Sequence, residues 1–147
     1  MKLRKARVSD LKTVASIWRE SLPDEYEPRY ARKHLKERQS LGEIFVIEEA
    51  GKVAAALTFA RDYFADSDYA VFLMVDKKYR RRGFATTLMK AYESQARKRH
   101  RRRIFSSVEP GRTASLKLHR KLGYKRCGFI DNLWEDGKRD LFFSKKL

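Results

Sequence analysis

The chain has 147 residues, 42% of them apolar and 37% charged, with a formal net charge of +16. That length carries one domain, residues 1–147, with a hydrophobic core, and the apolar share excludes a disordered chain. The central apolar run, residues 69–75, is too short to cross a bilayer, and the basic start "MKLRKARVSDLKTV" has no apolar stretch behind it, which predicts no secretory signal and a cytoplasmic protein.

Residues 2–6 suit a short strand. Ser9 is placed to cap a helix over about 10–21, whose apolar face is Leu11, Val14, Ala15, Trp18 and Leu22. Pro28 fits the first turn of a second helix reaching about Gln39. That helix is mostly charged, which predicts weak packing and freedom to move. Strands 43–49 and 52–61 flank a turn at Gly51. "DYAVFLMVD" follows with an unbroken apolar run, the mark of a strand buried on both faces. The spacing of Phe84, Leu88, Ala91, Tyr92 and Gln95 predicts a helix over 84–98. "RRIFSSV" reads as a strand, and "RTASLKLHRKLG" as a short helix closed by Gly123. Strands at about 124–130 and 138–146, joined near Asp136-Gly137, finish the chain. The order is β-α-α-β-β-β-α-β-α-β-β.

Two short segments supply ten of the sixteen net charges: residues 76–82 carry +4 and residues 97–103, "RKRHRRR", carry +6. Such a field favours an anionic partner: nucleic acid, a polyphosphate cofactor or an acidic protein. The second cluster ends a helix, where cations are favourable on dipole grounds alone, so a solvated face is the first reading and a docking patch for ribosomal RNA the second. Asn occurs once and Gln twice, a scarcity of amides that matches thermophile-like composition and accounts for part of the charge. The single cysteine, Cys127, lies in an apparent strand and reads as a small buried thiol. His34, His100 and His119 are scattered, and no metal site is expected.

The stretch "FLMVDKKYRRRGFATTLM" combines a buried strand, a basic loop, a glycine and a helix start. The first N–H groups of a helix lack internal partners and, with the positive end of the dipole, attract anions. Gly83 lets the backbone approach a phosphate with no Cβ in the way, Ala85 is small for the same reason, and the neighbouring arginines can close over it.

Arg80-x-x-Gly83-x-Ala85, after a strand ending Met74-Val75, resembles the acyl-CoA signature of the GNAT superfamily of acetyl-CoA-dependent N-acetyltransferases. The late "SLKLHRKLGYKRCGF" resembles the family's second hallmark, a helix followed by Gly and an aromatic residue. The resemblance covers essentially the whole chain. It implies an α+β fold, layered α/β/α, with four helices on a mixed, mostly antiparallel sheet whose strands splay at the acyl-CoA site. It also implies that Arg80, Arg81, Arg82, Gly83, Phe84, Ala85 and Thr86 hold the CoA pyrophosphate, while Met74 and Val75 pair with the pantetheine arm. A backbone N–H near Val75 would stabilise the oxyanion.

The sequence departs from the family pattern at three places. His119 stands where a tyrosine acid is usual, and is either an acid or a solvated histidine. Arg112 replaces an asparagine that contacts the CoA arm, with Ser115 still placed to touch the cofactor. The central strand carries no carboxylate, which leaves Asp68 and Glu109 as candidate bases, each also readable as a solvated loop carboxylate. Tyr26, Tyr30 and Tyr63 fall where acceptor-site loops usually lie. The expected activity is acetyl transfer from acetyl-CoA to a primary amine: a protein N-terminus, a lysine or a small amine. The competing reading is a nucleic-acid- or ribosome-binding module on the same fold with weak or no catalysis. A homodimer is left open.

Overall fold

Local chemistry sets the element boundaries of the computed structural model, which describes all 147 residues. The elements are β1 (Lys2–Lys5), α1 (Leu11–Ser21), α2 (Pro28–Ser40), β2 (Ile44–Glu49), β3 (Lys52–Phe64), β4 (Ser67–Val75), α3 (Phe84–Lys98), β5 (Arg103–Val108), α4 (Thr113–Lys121), β6 (Lys125–Asp131) and β7 (Arg139–Lys146). Their order is the one the sequence predicts. The cap of α1 differs: Asp10, not Ser9, is the residue at its start, after a short 3-10 turn over Val8–Asp10. The Asp10 carboxylate accepts from the Arg7 N–H at 2.7 Å and from both terminal nitrogens of Arg4. That carboxylate turns back onto the Arg fork, and no side chain bonds the first N–H groups of α1.

The strands form one seven-stranded sheet in the order β1-β2-β3-β4-β5-β7-β6. Every neighbouring pair is antiparallel except β4 and β5. α1 and α2 lie on one face, where Trp18, Leu35, Val46, Phe72 and Met74 form one core. α3 and α4 lie on the other, where Leu57, Phe59, Leu88, Tyr92, Ile104 and Phe143 form the second. The result is the α+β, three-layered arrangement expected. No helix is long and apolar enough to cross a membrane.

α2 is better anchored than its charge suggests. Ala31, His34 and Leu35 are buried. His34 Nε2 meets Thr58 Oγ1 at 2.9 Å, and burial pushes the imidazole down to about 4, so it packs as a neutral ring against Trp18 and Phe72. Arg38 pairs with the buried Glu43.

Two other expectations are corrected. Cys127 is exposed, because β6 is the free edge of the sheet. The basic run 97–103 is not simply solvated: Arg99 pairs with Asp68 at 2.9 Å and with Asp62 at 2.8 Å, and Arg101 bridges Asp62 and Asp66. Two of its arginines therefore clamp the β3–β4 hairpin to the end of α3.

Candidate functional site

The parallel ladder between β4 and β5 holds from Ser67↔Arg103 to Ala70↔Ser106 and then stops. Beyond it the strands diverge, leaving the end of β4 without a partner on that side. Two connected cavities occupy the fork.

The larger, about 690 Å³, runs from the end of β4 over the start of α3 to the start of α4. Of the residues expected to bind the cofactor, Met74, Val75, Arg80, Arg81, Gly83, Phe84, Ala85, Thr86, Arg112 and Ser115 all line it. Arg82 does not; its guanidinium lies over the Tyr79 ring, 5.3 Å from the centroid. Gly83 opens α3 in the left-handed region with φ of +79°, and Arg81 shares that conformation at +62°. A Cβ built on Gly83 would meet nothing within 4 Å of the protein, so the space above it is free for a ligand. The N–H groups of Phe84, Ala85 and Thr86, in the first turn, have no carbonyl inside the helix to bond. A left-handed loop, exposed arginines and an open helix N-terminus together fit a pyrophosphate.

The smaller cavity, about 40 Å³, is a slot between the diverging strands. It joins the larger one at Leu22, Leu73, Arg112 and Ser115. Glu25 and Glu109 stand at its wall, and with Asp140 they bring three carboxylates within 4.8 Å of one another. Glu25 lies in the 3-10 turn Pro23–Glu25 between α1 and α2, pinned by Trp18 Nε1 donating to its carbonyl at 3.2 Å. Asp140, on β7, accepts from Trp134 Nε1 at 2.9 Å. Arg112 Nε is 3.8 Å from Glu25 and 3.9 Å from Glu109, buried and without a hydrogen-bond partner. Burial pushes the Glu25 carboxyl up to about 7; Arg112 opposes the shift, and Glu109 and Asp140 add to it. Burial raises Asp140 as well, against its bond from Trp134.

His119 is buried at the slot rather than solvated. Its Nδ1 lies 2.7 Å from the Ser115 carbonyl, which can only accept, so Nδ1 carries the proton of the neutral ring. Nε2 therefore accepts from the Ser106 hydroxyl at 2.8 Å. Burial lowers the imidazole pKa. A neutral His119 thus has no proton to give from Nε2.

Asp68 is not brought to the slot. It is fully buried at the opposite end of β4, held by Arg99, by Gln95 at 3.3 Å and by the Asp62 N–H at 3.0 Å. That is a structural ion pair and not a solvated loop carboxylate. Tyr30 sits against Trp134 near the slot-lining Phe72, and Tyr63 stacks on Tyr69, whose hydroxyl bonds Ser107 at 2.6 Å. Sequence reasoning missed Glu25 and Asp140. The signal available for Glu25 was its place beside Tyr26 in the α1–α2 connection; Asp140 had none.

A helix-fronted loop whose geometry fits a pyrophosphate, set beside a splayed strand pair, fits the class of proteins that hold a phosphate-bearing acyl donor. The comparisons agree. The profile of the acetyltransferase (GNAT) family matches residues 11–124, and the chain belongs to that family. It is similar to the N-alpha-acetyltransferase of Sulfurisphaera tokodaii, at 24% identity over 93% of this chain and 87% of the relative. Its fold is similar to Ard1 of Thermoplasma volcanium, with a TM-score of 0.89 and 20% identity over 99% of this chain and 97% of that one. It is also similar to yncA of Salmonella typhimurium, solved with its cofactor acetyl-CoA, with a TM-score of 0.81 and 18% identity over 100% and 94% of the two chains. The protein is an N-acetyltransferase with acetyl-CoA as cosubstrate.

Proposed function

We propose that the acceptor is the α-amine of a polypeptide. The observation that carries this reading is the carboxylate trio at the slot: Glu25, Glu109 and Asp140 lie within 4.8 Å of one another beside the diverging strands, a set of acceptors suited to an ammonium. The name of the Sulfurisphaera tokodaii relative, an N-alpha-acetyltransferase, supports an α-amine over a lysine side chain or a small amine.

In this reading the N–H groups at the start of α3, with Arg80 and Arg81, hold the pyrophosphate, and Met74 and Val75 align the pantetheine arm. The thioester supplies an activated acetyl carbonyl and a thiolate leaving group. The trio receives the acceptor as an ammonium. Glu25, whose carboxyl ionises near neutral pH, takes the proton, and Glu109 is the second acceptor close by. A backbone N–H near Val75 faces the oxyanion. Thiols ionise at about pH 8.5, so the leaving group asks little of an acid. His119 then serves mainly by fixing Ser106 and the wall of the slot.

Mass spectrometry of acetylated peptides tests the assignment. The expected product carries acetyl on the α-amine. Acetylation confined to lysine side chains or to small amines would refute it.

A further inference from the structure

On the α1/α2 side of the sheet the two helices pack over β2, β3 and β4. No helix covers the face of β5, β7 and β6 beyond them: Phe105 and Phe142 are half-buried, Arg103, Lys125 and Lys146 are exposed, and at the slot end Trp134 reaches across from the β6–β7 connection to Asp140 and Phe72. Strand register fixes what lies along it. Asp140 faces the slot end, and Ser107 pairs with Phe142 in the next row toward the far end. Phe105, Ser144 and Lys125 form a further row, and Arg103 with Lys146 the last. The β3–β4 hairpin leans on the middle of this face, with Phe64 near its tip 5.6 Å from Phe105 and Tyr69, within β4, 5.9 Å from Phe142. At the last row the strands and the hairpin enclose an open cleft of about 430 Å³ lined by Arg102, Arg103 and Lys146. Its one carboxylate, Asp66, is engaged by Arg101.

One face therefore runs from acidic, through aromatic, to basic. We propose that this strip binds the acceptor polypeptide beyond its first residues and selects for acidic side chains at the basic end. The inference rests on the α-amine reading above. From Glu109 to Arg103 is six residues of strand, roughly 20 Å at about 3.3 Å per residue. An extended acceptor with its amine in the slot covers that span with its fifth to seventh residues. The apolar middle takes side chains on the way, and the cations of the last row, with only Asp66 against them, complement a carboxylate.

Three peptides test this, identical except at positions five to seven, which are all Glu, all Ala or all Lys. The expected kcat/KM for the Glu peptide is about tenfold or more above the Ala peptide, carried by KM, with the Lys peptide lowest. The advantage shrinks as salt rises, since these charges are exposed. In the double variant R103E/K146E the order inverts and the Lys peptide becomes the best. Both positions are exposed and far from the cofactor cleft, so acetyl-CoA binding by calorimetry stays intact and reports that the variant is folded. Equal turnover of the three peptides overturns the strip alone. Turnover of none of them, with acetyl-CoA bound, overturns the α-amine reading and the strip together. Tight, salt-sensitive binding of a single-stranded RNA that the double variant loses, without any peptide preference, assigns the basic end to RNA instead.

Discussion

Replacing Glu25 by Gln should raise stability and lower activity, and the structure sets the size of both effects. The Glu25 carboxyl sits at about 7 against an ordinary 4.5. Each pKa unit is about 1.36 kcal/mol, so the shift corresponds to a ceiling of about 3 kcal/mol. Because the folded pKa is raised, this stabilisation is full below about pH 4.5 and is lost as pH rises through 7. Gln resembles the protonated form and does not titrate. The variant should therefore match wild type near pH 4.5 and exceed it above pH 7 by about 2 kcal/mol, or roughly 4–8 °C for a chain of this size. At pH 7 kcat/KM should fall about 10²-fold, the usual worth of a positioned base. The rise in wild-type kcat/KM through pH 7 should vanish, leaving the amine's own ionisation near pH 8. Melting curves and initial rates from pH 5 to 9 read both effects. If the variant were less stable at pH 8 and its rate unchanged, Glu25 would be a structural partner of Arg112 and the reasoning would fail.

Three further outcomes follow from the same geometry. Gly83→Ala should cost about 1 kcal/mol in a urea melt, from the left-handed φ alone, because the new Cβ meets no protein atom; Gly83→Trp should fill the cradle and abolish acetyl-CoA binding in calorimetry, and retained binding would place the cosubstrate elsewhere. Arg99→Ala should destabilise by about 3–5 kcal/mol in urea by leaving Asp68 buried and unpaired, and adding Asp68→Asn should recover part of the loss. His119→Gln should lower kcat less than tenfold while lowering the melting temperature; a fall of 10³-fold would show that the imidazole moves a proton in the rate-limiting step.

What was legible in the sequence is what is encoded by neighbours in the chain. The cofactor cradle is contiguous from Arg80 to Thr86, and its glycine, small residue and cations each have a local physical reason. The element order is local too, set by apolar spacing and by Gly51, Gly123 and Gly137, all of which adopt positive φ. The candidate acceptor slot is different. Its carboxylates come from positions 25, 109 and 140, on three elements that only the sheet order brings together. The Arg99–Asp68 pair spans 31 residues, so Asp68 alone gave no hint that it is buried at the far end of its strand. Cys127 sits in a run that reads as a strand, but strand pattern does not reveal that β6 is an edge. In α2 the buried stripe is three residues, one of them a neutral histidine that hydropathy counts as polar.

The placement of charge separates the tasks of the two substrates. A net charge of +16 draws in a polyanionic cosubstrate from a distance and repels a cationic amine. At physiological salt the long-range field is screened beyond about 8 Å, whereas groups within a partly buried slot are screened far less. Three carboxylates within 4.8 Å can therefore reverse the sign of the potential in the proposed acceptor slot, without weakening the pull on phosphates at the mouth of the other cavity. Arg112 lies at the junction, lining both cavities and standing beside Glu25 and Glu109. It limits the mutual repulsion of the trio while leaving Glu25 poised near neutrality, which is the condition a base needs if it is to accept a proton from an ammonium and then release it to water.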